Sequence, residues 1–330
     1  MIPRHRYKIQ FDFFLFGDLQ IKTGNFIINN MKYDYIIIAG PTASGKSDFA
    51  HQLARRINGA IINCDSVQIY QDLETVSASP FAGNTKNGFN EIDGVPYKLF
   101  SVLPLTEHIS VSDYLTLATK AMDEIVKMGR VPIFVGGSGY YINVLINGIS
   151  PIPETSDKNR QRAREMVKNN IDAVRKLLPD DFIPTDPQRT ARALEVFLET
   201  GKSLQEWQKL PRRGAVPGAG YKILISPNRD VLLKRIAQRV PEMIRGDAIN
   251  EAKNIIAKNL PEDRAIGTAQ ICKMLRGEIS EADAIDNWIL KTNQYAKRQR
   301  TWYKTQYAPD FEIPHIPTAI DVDEVITKIS

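Results

Sequence analysis

The sequence predicts an α/β protein whose helices cover a doubly wound parallel sheet. Two segments, Tyr35–Ala39 and Val131–Val135, are short β-branched apolar runs, typical of strands buried on both faces. Such runs alternate with amphipathic segments of helical length, the pattern of right-handed strand–helix–strand crossovers. With 330 residues, 43% hydrophobic and 25% charged, the chain has the composition of an ordinary globular protein of about two domains.

Composition excludes several classes of protein. No run approaches the roughly 18 consecutive apolar residues of a membrane helix, so we expect no membrane span. The two cysteines, Cys64 and Cys272, cannot build a disulfide framework, and neither lies at metal-ligand spacing from a partner. A membrane protein, a secreted disulfide scaffold and a zinc protein are therefore excluded.

The first 30 residues precede the predicted core. They combine a basic start with an apolar patch, Phe13–Phe16, that Asp12 and Asp18 interrupt, which is a poor match to a secretory or organelle signal. We expect residues 1–30 to be an extension outside the fold, the working domain to begin near Met31, and the protein to be cytoplasmic.

The elements of the first half follow in order. A glycine-bearing loop joins the first strand to an amphipathic helix, which ends at Asn58-Gly59. The second strand is Ala60–Cys64. The polar stretch from Ser77 to Gly94 is typical of a loop. Ser110 or Ser112 can then cap a helix that runs to Met128, before the third strand at 131–135.

The second half has a different texture. Residues 151–213 are charged and helical in spacing, which predicts a helical insertion between the two parts of a core, 31–150 and 214–330. Tyr221–Ile225 is a further strand, followed by helices over 229–245, 247–258 and 281–304. Residues 1–150 hold 13 basic and 13 acidic residues, whereas 151–330 hold 30 and 25, so the net charge of +5 lies in the second half. This favours a polyanionic partner, although a few extra surface lysines would give the same balance.

The loop after the first strand has the pattern Gly-x-x-x-x-Gly-Lys-Ser. Its glycines let the backbone wrap a phosphate, while N–H groups and the following helix N-terminus supply positive potential. Its lysine adds a point charge, and its serine hydroxyl can bind magnesium. We therefore predict a phosphate site, with Mg²⁺ on the serine, formed by Gly40, Pro41, Thr42, Ala43, Ser44, Gly45, Lys46 and Ser47.

Asp65 follows the second strand, where the carboxyl ends of parallel strands meet at one crevice. A carboxylate there can act as a general base or as an indirect magnesium ligand. Because Asp-Ser also commonly starts a helix, a capping role is the alternative. The third strand ends in Gly136-Gly137-Ser138 rather than in the acidic residue usual in a motor ATPase.

An ordered series of motifs resembles the tRNA dimethylallyltransferase family. The loop alone is unspecific, whereas the ordered set, which spans Tyr35 to Tyr307, is highly specific. Beyond the loop it comprises Asp65-Ser66-x-x-x-Tyr70, Gly136–Tyr141, Asp186-Pro187-Gln188-Arg189, Arg192–Val196, Thr200-Gly201-Lys202, Arg264–Gly267, Lys297-Arg298-Gln299 and Thr301-Trp302.

The resemblance implies a P-loop enzyme that transfers a dimethylallyl group from dimethylallyl diphosphate. The acceptor is the exocyclic amine of the adenine 3′ of the anticodon, in tRNAs that read codons starting with U. The implied partners are dimethylallyl diphosphate and the tRNA anticodon stem-loop, and we expect a monomer. In this family the P-loop holds the diphosphate leaving group rather than ATP.

The resemblance also implies roles for residues. Asp65 takes the proton from the adenine amine and Ser138 hydrogen-bonds near it. Arg235 and Arg239, one helical turn apart, are candidates to clamp the diphosphate, with solvated charges as the alternative. Family motifs and the basic, aromatic-interleaved stretch 291–304 together give the expected tRNA contacts: Asp65, Ser66, Val67, Gln68, Ser138, Arg160, Gln188, Arg189, Arg192, Arg264, Gly267, Lys291, Lys297 and Arg298.

Three other functions remain open from the residues alone. A small-molecule kinase shares the loop, but gives no role to the basic C-terminal third. An adenylate isopentenyltransferase shares the core and takes a free nucleotide. An RNA-binding GTPase-like switch would need a guanine-reading motif, which the sequence lacks. One departure from the family is that Gly267-Thr268-Ala269-Gln270 stands where Gly-Tyr-Arg-Gln is usual, which removes an arginine from a region assigned to tRNA contact.

Overall fold

The structure is a computed structural model that describes residues 31–82, 90–179 and 186–330; the predicted extension, residues 1–30, lies outside them. Seven strands form one sheet within these residues. They are β1 (Tyr35–Ala39), β2 (Gly59–Asn63), β3 (Asn90–Ile92), β4 (Val95–Lys98), β5 (Val131–Gly136), β6 (Gly220–Ile225) and β7 (Phe311–Ile313).

Helices connect and cover these strands. The core helices are α1 (Lys46–Arg56), α2 (Val111–Lys127), α3 (Gly139–Asn147), α8 (Arg229–Arg245), α9 (Ala248–Ala257), α10 (Thr268–Leu275), α11 (Glu281–Gln306) and α12 (Ala319–Ile329). Between α3 and β6 lie α4 (Asp157–Asn169), α5 (Ile171–Leu177), α6 (Pro187–Thr200) and α7 (Leu204–Lys209).

The strand order is β3-β4-β2-β5-β1-β6-β7, and every neighbouring pair is parallel except β3 and β4. The chain leaves β1, crosses over through α1 and enters β2, which lies on the far side of β5. This order confirms the predicted doubly wound α/β class. It also places the carboxyl ends of β1, β5 and β2 side by side, where ligands bind in such folds.

Two apolar clusters lie on opposite faces of the sheet. Along β1, Ile36 and Ile38 pack into one cluster, and Ile37 packs into the other, with all three side chains fully buried. Because successive strand residues point to opposite faces, this arrangement requires apolar residues at every position of the strand. The continuous apolar run that predicted β1 thus has its cause in burial on both faces.

The predicted loop from Ser77 to Gly94 is wrong at its end, because residues 90–92 form β3. This strand pairs antiparallel with β4 through a two-residue turn at Asp93 and Gly94, whose φ angles are 48° and 78°. Asp-Gly is a favoured sequence for such a turn because both residues take positive φ readily. The strand itself is a three-residue edge strand, too short to show an alternating apolar pattern.

The segment predicted as an insertion forms α4 to α7 and has an apolar cluster of its own, around Ala163, Val167 and Leu194. Where the chain enters and leaves it, Ile149 and Arg213 exchange two backbone hydrogen bonds of 2.9 Å each. Both observations support a helical insertion, while its boundaries stay a prediction. None of the described helices combines the length and apolar character that crossing a membrane requires.

Candidate active site

The P-loop joins β1 to α1 at the crevice side of the sheet. Two residues turn the backbone through positive φ, Ala43 at 64° and Gly45 at 87°. At Gly40 a side chain would not fit, since a Cβ would lie 2.6 Å from the carbonyl oxygen of Ile225. The helix α1 begins directly at Lys46, so its N-terminal N–H groups face an anion held by this loop.

Lys46 is the cation of the loop. Its Nζ donates a hydrogen bond of 3.3 Å to the carbonyl oxygen of Pro41. Burial lowers its pKa to about 8; the nearby Asp65 carboxylate opposes this shift and the charge of Arg239 adds to it. The ammonium is therefore incompletely compensated by the protein, and a phosphate oxygen would stabilise it.

Helix α8 brings two further cations to the loop. Arg235 Nε donates to the carbonyl oxygen of Ala43 at 2.8 Å, and Arg239 Nη2 donates to Thr42 Oγ1 at 2.8 Å. Burial, and then the neighbouring Arg235, lower the pKa of Arg239. Both arginines therefore lie at the predicted diphosphate site rather than in solvent.

Two buried polar atoms at this loop have no hydrogen-bond partner among the described residues, namely Arg239 Nε and Ser44 Oγ. Buried donors without partners are rare in folded proteins, because each one loses its hydration without compensation. An anion bound between α8 and the loop would supply an acceptor for Arg239 Nε. This observation fits a diphosphate between α8 and the P-loop.

Asp65 is held rigidly at the end of β2 by the buried side chain of Asn63. Asn63 Oδ1 accepts from the Asp65 N–H at 2.8 Å, while its Nδ2 donates to the carbonyl oxygens of Asp65 and Leu99 at 3.0 Å each. Asp65 Oδ1 accepts from the Val67 N–H at 2.9 Å. Residues 66–69 form a turn and not a helix, so Asp65 is not a helix cap. The turn uses only one of the two carboxylate oxygens.

Ser138 links the ends of β5 and β2. Its Oγ accepts from the Ser66 N–H at 2.8 Å and donates to Ser66 Oγ at 3.1 Å. The two chain segments touch directly, since a Cβ on Gly136 would lie 1.9 Å from the Cys64 carbonyl oxygen. The glycines at the end of β5, Gly136 and Gly137, thus let Ser138 and Asp65 share one crevice with the P-loop.

Gln299 on α11 is a site residue that sequence reasoning quoted in a motif but gave no role. Its Oε1 accepts from the Thr42 N–H at 2.8 Å, and its Nε2 donates to the Gly137 carbonyl oxygen at 2.8 Å. One buried amide therefore ties the P-loop to the loop that carries Ser138. The only signal in the sequence was the triplet Lys297-Arg298-Gln299.

We predict that Gln299→Leu destabilises the protein and weakens diphosphate binding. The change leaves the Thr42 N–H and the Gly137 carbonyl buried without their partner, at about 1–3 kcal/mol for each group. Chemical denaturation measures this loss, and Gln294→Leu at an exposed position of the same helix is the matched control. Equal stability of the two variants would mean that the bridge is not structural.

Tyr295 was also missed by sequence reasoning. Its hydroxyl lies near the side chains of Ser138 and Gln299, and burial followed by the charge of Asp65 raises its pKa. The Arg298 guanidinium lies 5.8 Å from the Tyr295 ring centre. The basic stretch of α11 therefore reaches the mouth of the crevice through Arg298.

The other predicted tRNA contacts lie in several places. Arg264 borders a cavity beside Ser66 and Val67, and Gly267 precedes α10. The Gln68 amide donates to the carbonyl oxygens of Ser77 and Ala78. Exposed positions on helices α6 and α11 carry Gln188, Arg189, Lys291, Lys297 and Arg298.

Arg160 and Arg192 lie together in the insertion, paired with one buried carboxylate. Glu195 Oε1 lies 2.7 Å from Arg192 Nη1 and 3.4 Å from Arg160 Nε. Thr155 also hydrogen-bonds to this carboxylate. Arg160 thus joins α4 to α6, whereas the pair of Arg192 and Glu195 lies within α6. Contact of the two arginines with tRNA stays a prediction.

No group of three or more His, Cys, Asp or Glu side chains in residues 31–82, 90–179 and 186–330 is arranged to hold a metal ion. Ser47, in the first turn of α1, is exposed. Mg²⁺ commonly binds through one or two protein oxygens, substrate phosphates and water. The donor set at the P-loop therefore fits Mg²⁺ that arrives with a phosphorylated substrate, and does not fit a metal cage.

Comparison with known proteins assigns this architecture. The family model of IPP transferase matches residues 68–306, and that of isopentenyl transferase matches residues 33–90. A tRNA dimethylallyltransferase of Rickettsia felis is 36% identical over 288 residues, which cover 83% of this chain and 91% of that protein.

Solved structures agree. The full-length tRNA isopentenylpyrophosphate transferase of Bacillus halodurans superimposes with a TM-score of 0.63 at 29% identity, over 90% of this chain and 95% of that chain. A eukaryotic dimethylallyltransferase acting on tRNA gives a TM-score of 0.67 at 25% identity, over 82% of this chain and 69% of that chain. From its sequence, its fold and the residues gathered at its crevice, the chain belongs to the IPP transferase family, that of the tRNA dimethylallyltransferases.

Proposed function

We propose that the protein transfers a dimethylallyl group from dimethylallyl diphosphate to the exocyclic amine of the adenine 3′ of the anticodon, in tRNAs that read codons starting with U. The observation that carries this proposal is the shared crevice. Three cations, Lys46, Arg235 and Arg239, stand at its phosphate end, and Asp65 and Ser138 stand at the ends of the neighbouring strands.

The diphosphate is both the recognised group and the leaving group. As the bond between its oxygen and C1 of the dimethylallyl group breaks, the electron pair goes to the diphosphate and positive charge develops on the allylic carbon. Lys46, Arg235 and Arg239 stabilise the developing negative charge without rearranging, since the fold has already placed them. Mg²⁺ at the Ser47 hydroxyl would add further positive charge to the leaving group.

At the acceptor, the adenine nitrogen forms its bond to C1 and loses one proton. The carboxylate of Asp65 receives this proton. The Asn63 side chain fixes the backbone of Asp65 through two hydrogen bonds. Ser138 and the hydroxyl of Tyr295 line the same place and orient the amine. Because the reacting atoms meet in a bound geometry, positioning supplies a large part of the rate enhancement.

The adenine must leave the stacked anticodon loop to reach this crevice, a form of base flipping. The basic, exposed side chains of α11 and of the insertion hold the RNA backbone while the base is extruded. We propose that the insertion, residues 151–213, is the part devoted to tRNA. All residues assigned to the reaction come from one chain, and we propose that the protein acts as a monomer. A tRNA acceptor is the ground for proposing that it acts in the cytoplasm.

One assay tests the proposed function. Labelled dimethylallyl diphosphate is incubated with the protein, Mg²⁺ and an acceptor, which is tRNA, AMP or a tRNA whose target adenine is replaced by guanine. We expect label only in the unaltered tRNA. Label in AMP would identify an adenylate isopentenyltransferase. In a parallel incubation with ATP, turnover of ATP without prenyl transfer would identify a kinase.

We predict that the pair Lys297→Ala, Arg298→Ala weakens tRNA binding and leaves the rate at saturating tRNA nearly unchanged. Each lost phosphate contact lowers the slope of log affinity against log salt by about one unit. Binding at several salt concentrations measures the slope. The matched control is Lys234→Ala, Lys253→Ala, which removes two exposed charges elsewhere. An unchanged slope in the test pair would contradict contact with phosphate.

A further inference from the structure

A cavity of about 400 Å³ opens beside Ser66, next to the candidate catalytic crevice. Tyr70 and Tyr141 line it together with Arg264 and His108. Unstacked RNA bases stack on aromatic rings and on guanidinium groups, and a guanidinium also binds phosphate. The orientation of Arg264 therefore decides what this cavity offers to a nucleic acid.

Three contacts fix Arg264. Its Nη1 lies 3.1 Å from His108 Nδ1, its Nη2 donates to the carbonyl oxygen of Glu107 at 2.9 Å, and its guanidinium lies 5.1 Å from the centre of the Tyr70 ring. Two of the three contacts come from the loop before α2, 156 and 157 residues away in the sequence.

The His108 contact has a defined direction. An arginine side chain has donors only and stays protonated, so His108 Nδ1 must accept the hydrogen bond and the neutral ring carries its proton on Nε2. His108 itself is exposed. Its side chain therefore contributes to the position of Arg264 rather than to the core.

Arg264 keeps donor capacity for a ligand. Its Nε is buried and has no hydrogen-bond partner among the described residues. His108 and Glu107 each accept from one terminal nitrogen and hold the guanidinium plane. One further N–H on each terminal nitrogen is left for a ligand in the cavity.

We infer that His108 is a positioning residue, which holds Arg264 in the orientation that engages tRNA. This inference rests on the proposed function, with tRNA as the acceptor. His108 does not touch the substrate in this role; it acts through Arg264. It also gives this chain a pre-oriented arginine near the segment where Thr268-Ala269 replaces the family's Tyr-Arg.

The test compares His108→Ala with His108→Asn in steady-state transfer. Asparagine places an amide oxygen close to the position of Nδ1 and can accept from Arg264, whereas alanine cannot. We expect His108→Ala to raise the KM for tRNA about 5- to 10-fold, the scale of one net hydrogen bond, with kcat and the KM for dimethylallyl diphosphate unchanged. His108→Asn should restore most of the loss.

A double-mutant cycle with Arg264→Ala identifies the route. If His108 acts through Arg264, the double variant has the KM of Arg264→Ala alone. The matched control is Thr106→Ala, an exposed change in the same loop, which should behave as the parent. Additive effects of the two changes, a normal KM in His108→Ala, or no rescue by asparagine would each overturn the inference. Failure of the parent protein to modify tRNA would instead overturn the proposed function.

Discussion

Lys46→Ala is expected to reduce kcat/KM for dimethylallyl diphosphate by about 10²–10³-fold or more, the scale on which one preorganised charge-stabilising group acts. The ammonium lies at the start of α1, faces the P-loop and is incompletely neutralised by the protein. The substitution removes the positive charge that lies beside the diphosphate, both when the substrate is bound and in the transition state. Transfer of the dimethylallyl group to tRNA should therefore be almost abolished.

The same change should leave the fold intact. Burial lowers the pKa of Lys46 to about 8, so the charged form is disfavoured in the folded protein and its removal costs little stability. For the same reason diphosphate affinity should fall as the pH rises through about 8, where the ammonium loses its proton.

Three measurements check this prediction. They are steady-state kinetics, the melting temperature, and the shift in melting temperature that inorganic diphosphate with Mg²⁺ produces. Diphosphate should stabilise the parent but not Lys46→Ala. Lys234→Ala, an exposed change on α8, is the control and should respond as the parent does. Near-normal transfer by Lys46→Ala would contradict the assignment of the P-loop to the diphosphate.

Asp65→Asn is expected to lower the single-turnover transfer rate by about 10²–10⁴-fold, the usual loss when a general base is removed. Asparagine keeps an oxygen that can accept the Val67 N–H, so the local turn survives. It cannot take the proton of the adenine amine. The rate should therefore fall far more than the affinity for tRNA.

The measurement is single-turnover transfer at saturating tRNA, alongside tRNA binding at several salt concentrations. Asp123→Asn, at an exposed position on α2, removes the same charge away from the crevice and should react at the parent rate. If Asp65→Asn also reacts at that rate, Asp65 is not the base. The hydrogen bond from the Val67 N–H would then be its whole role.

Local patterns in the sequence predicted most of the strands and several of the helices. Continuous apolar runs predicted β1, β2, β5 and β6 to within one residue at either end, because strands buried on both faces tolerate few polar side chains. The helix α8 occupies the predicted range 229–245, and Ser110 caps α2 as one of the two expected serines. The sequence did not predict the short edge strands β3 and β7, because three residues are too few to show an alternating apolar pattern.

The candidate site divides in the same way. The P-loop, Asp65 and Ser138 could be predicted because each follows a recognisable strand, and the ends of adjacent parallel strands meet at one edge. Family motifs then gave those residues their roles. In each of these segments the position of the site residue depends on the strand just before it in the chain, and that strand can be predicted from the sequence.

Tertiary structure alone decided how distant residues complete this site. Arg235 and Arg239 contact the P-loop from 192 and 197 residues away, and Gln299 does so from 257 residues away. An exposed charge and a substrate-binding charge look alike in sequence, because their difference lies in what packs around them. Residue types and local spacing therefore determined the fold class and predicted a phosphate site, whereas the packing of α8 and α11 on the sheet determined which side chains share the crevice.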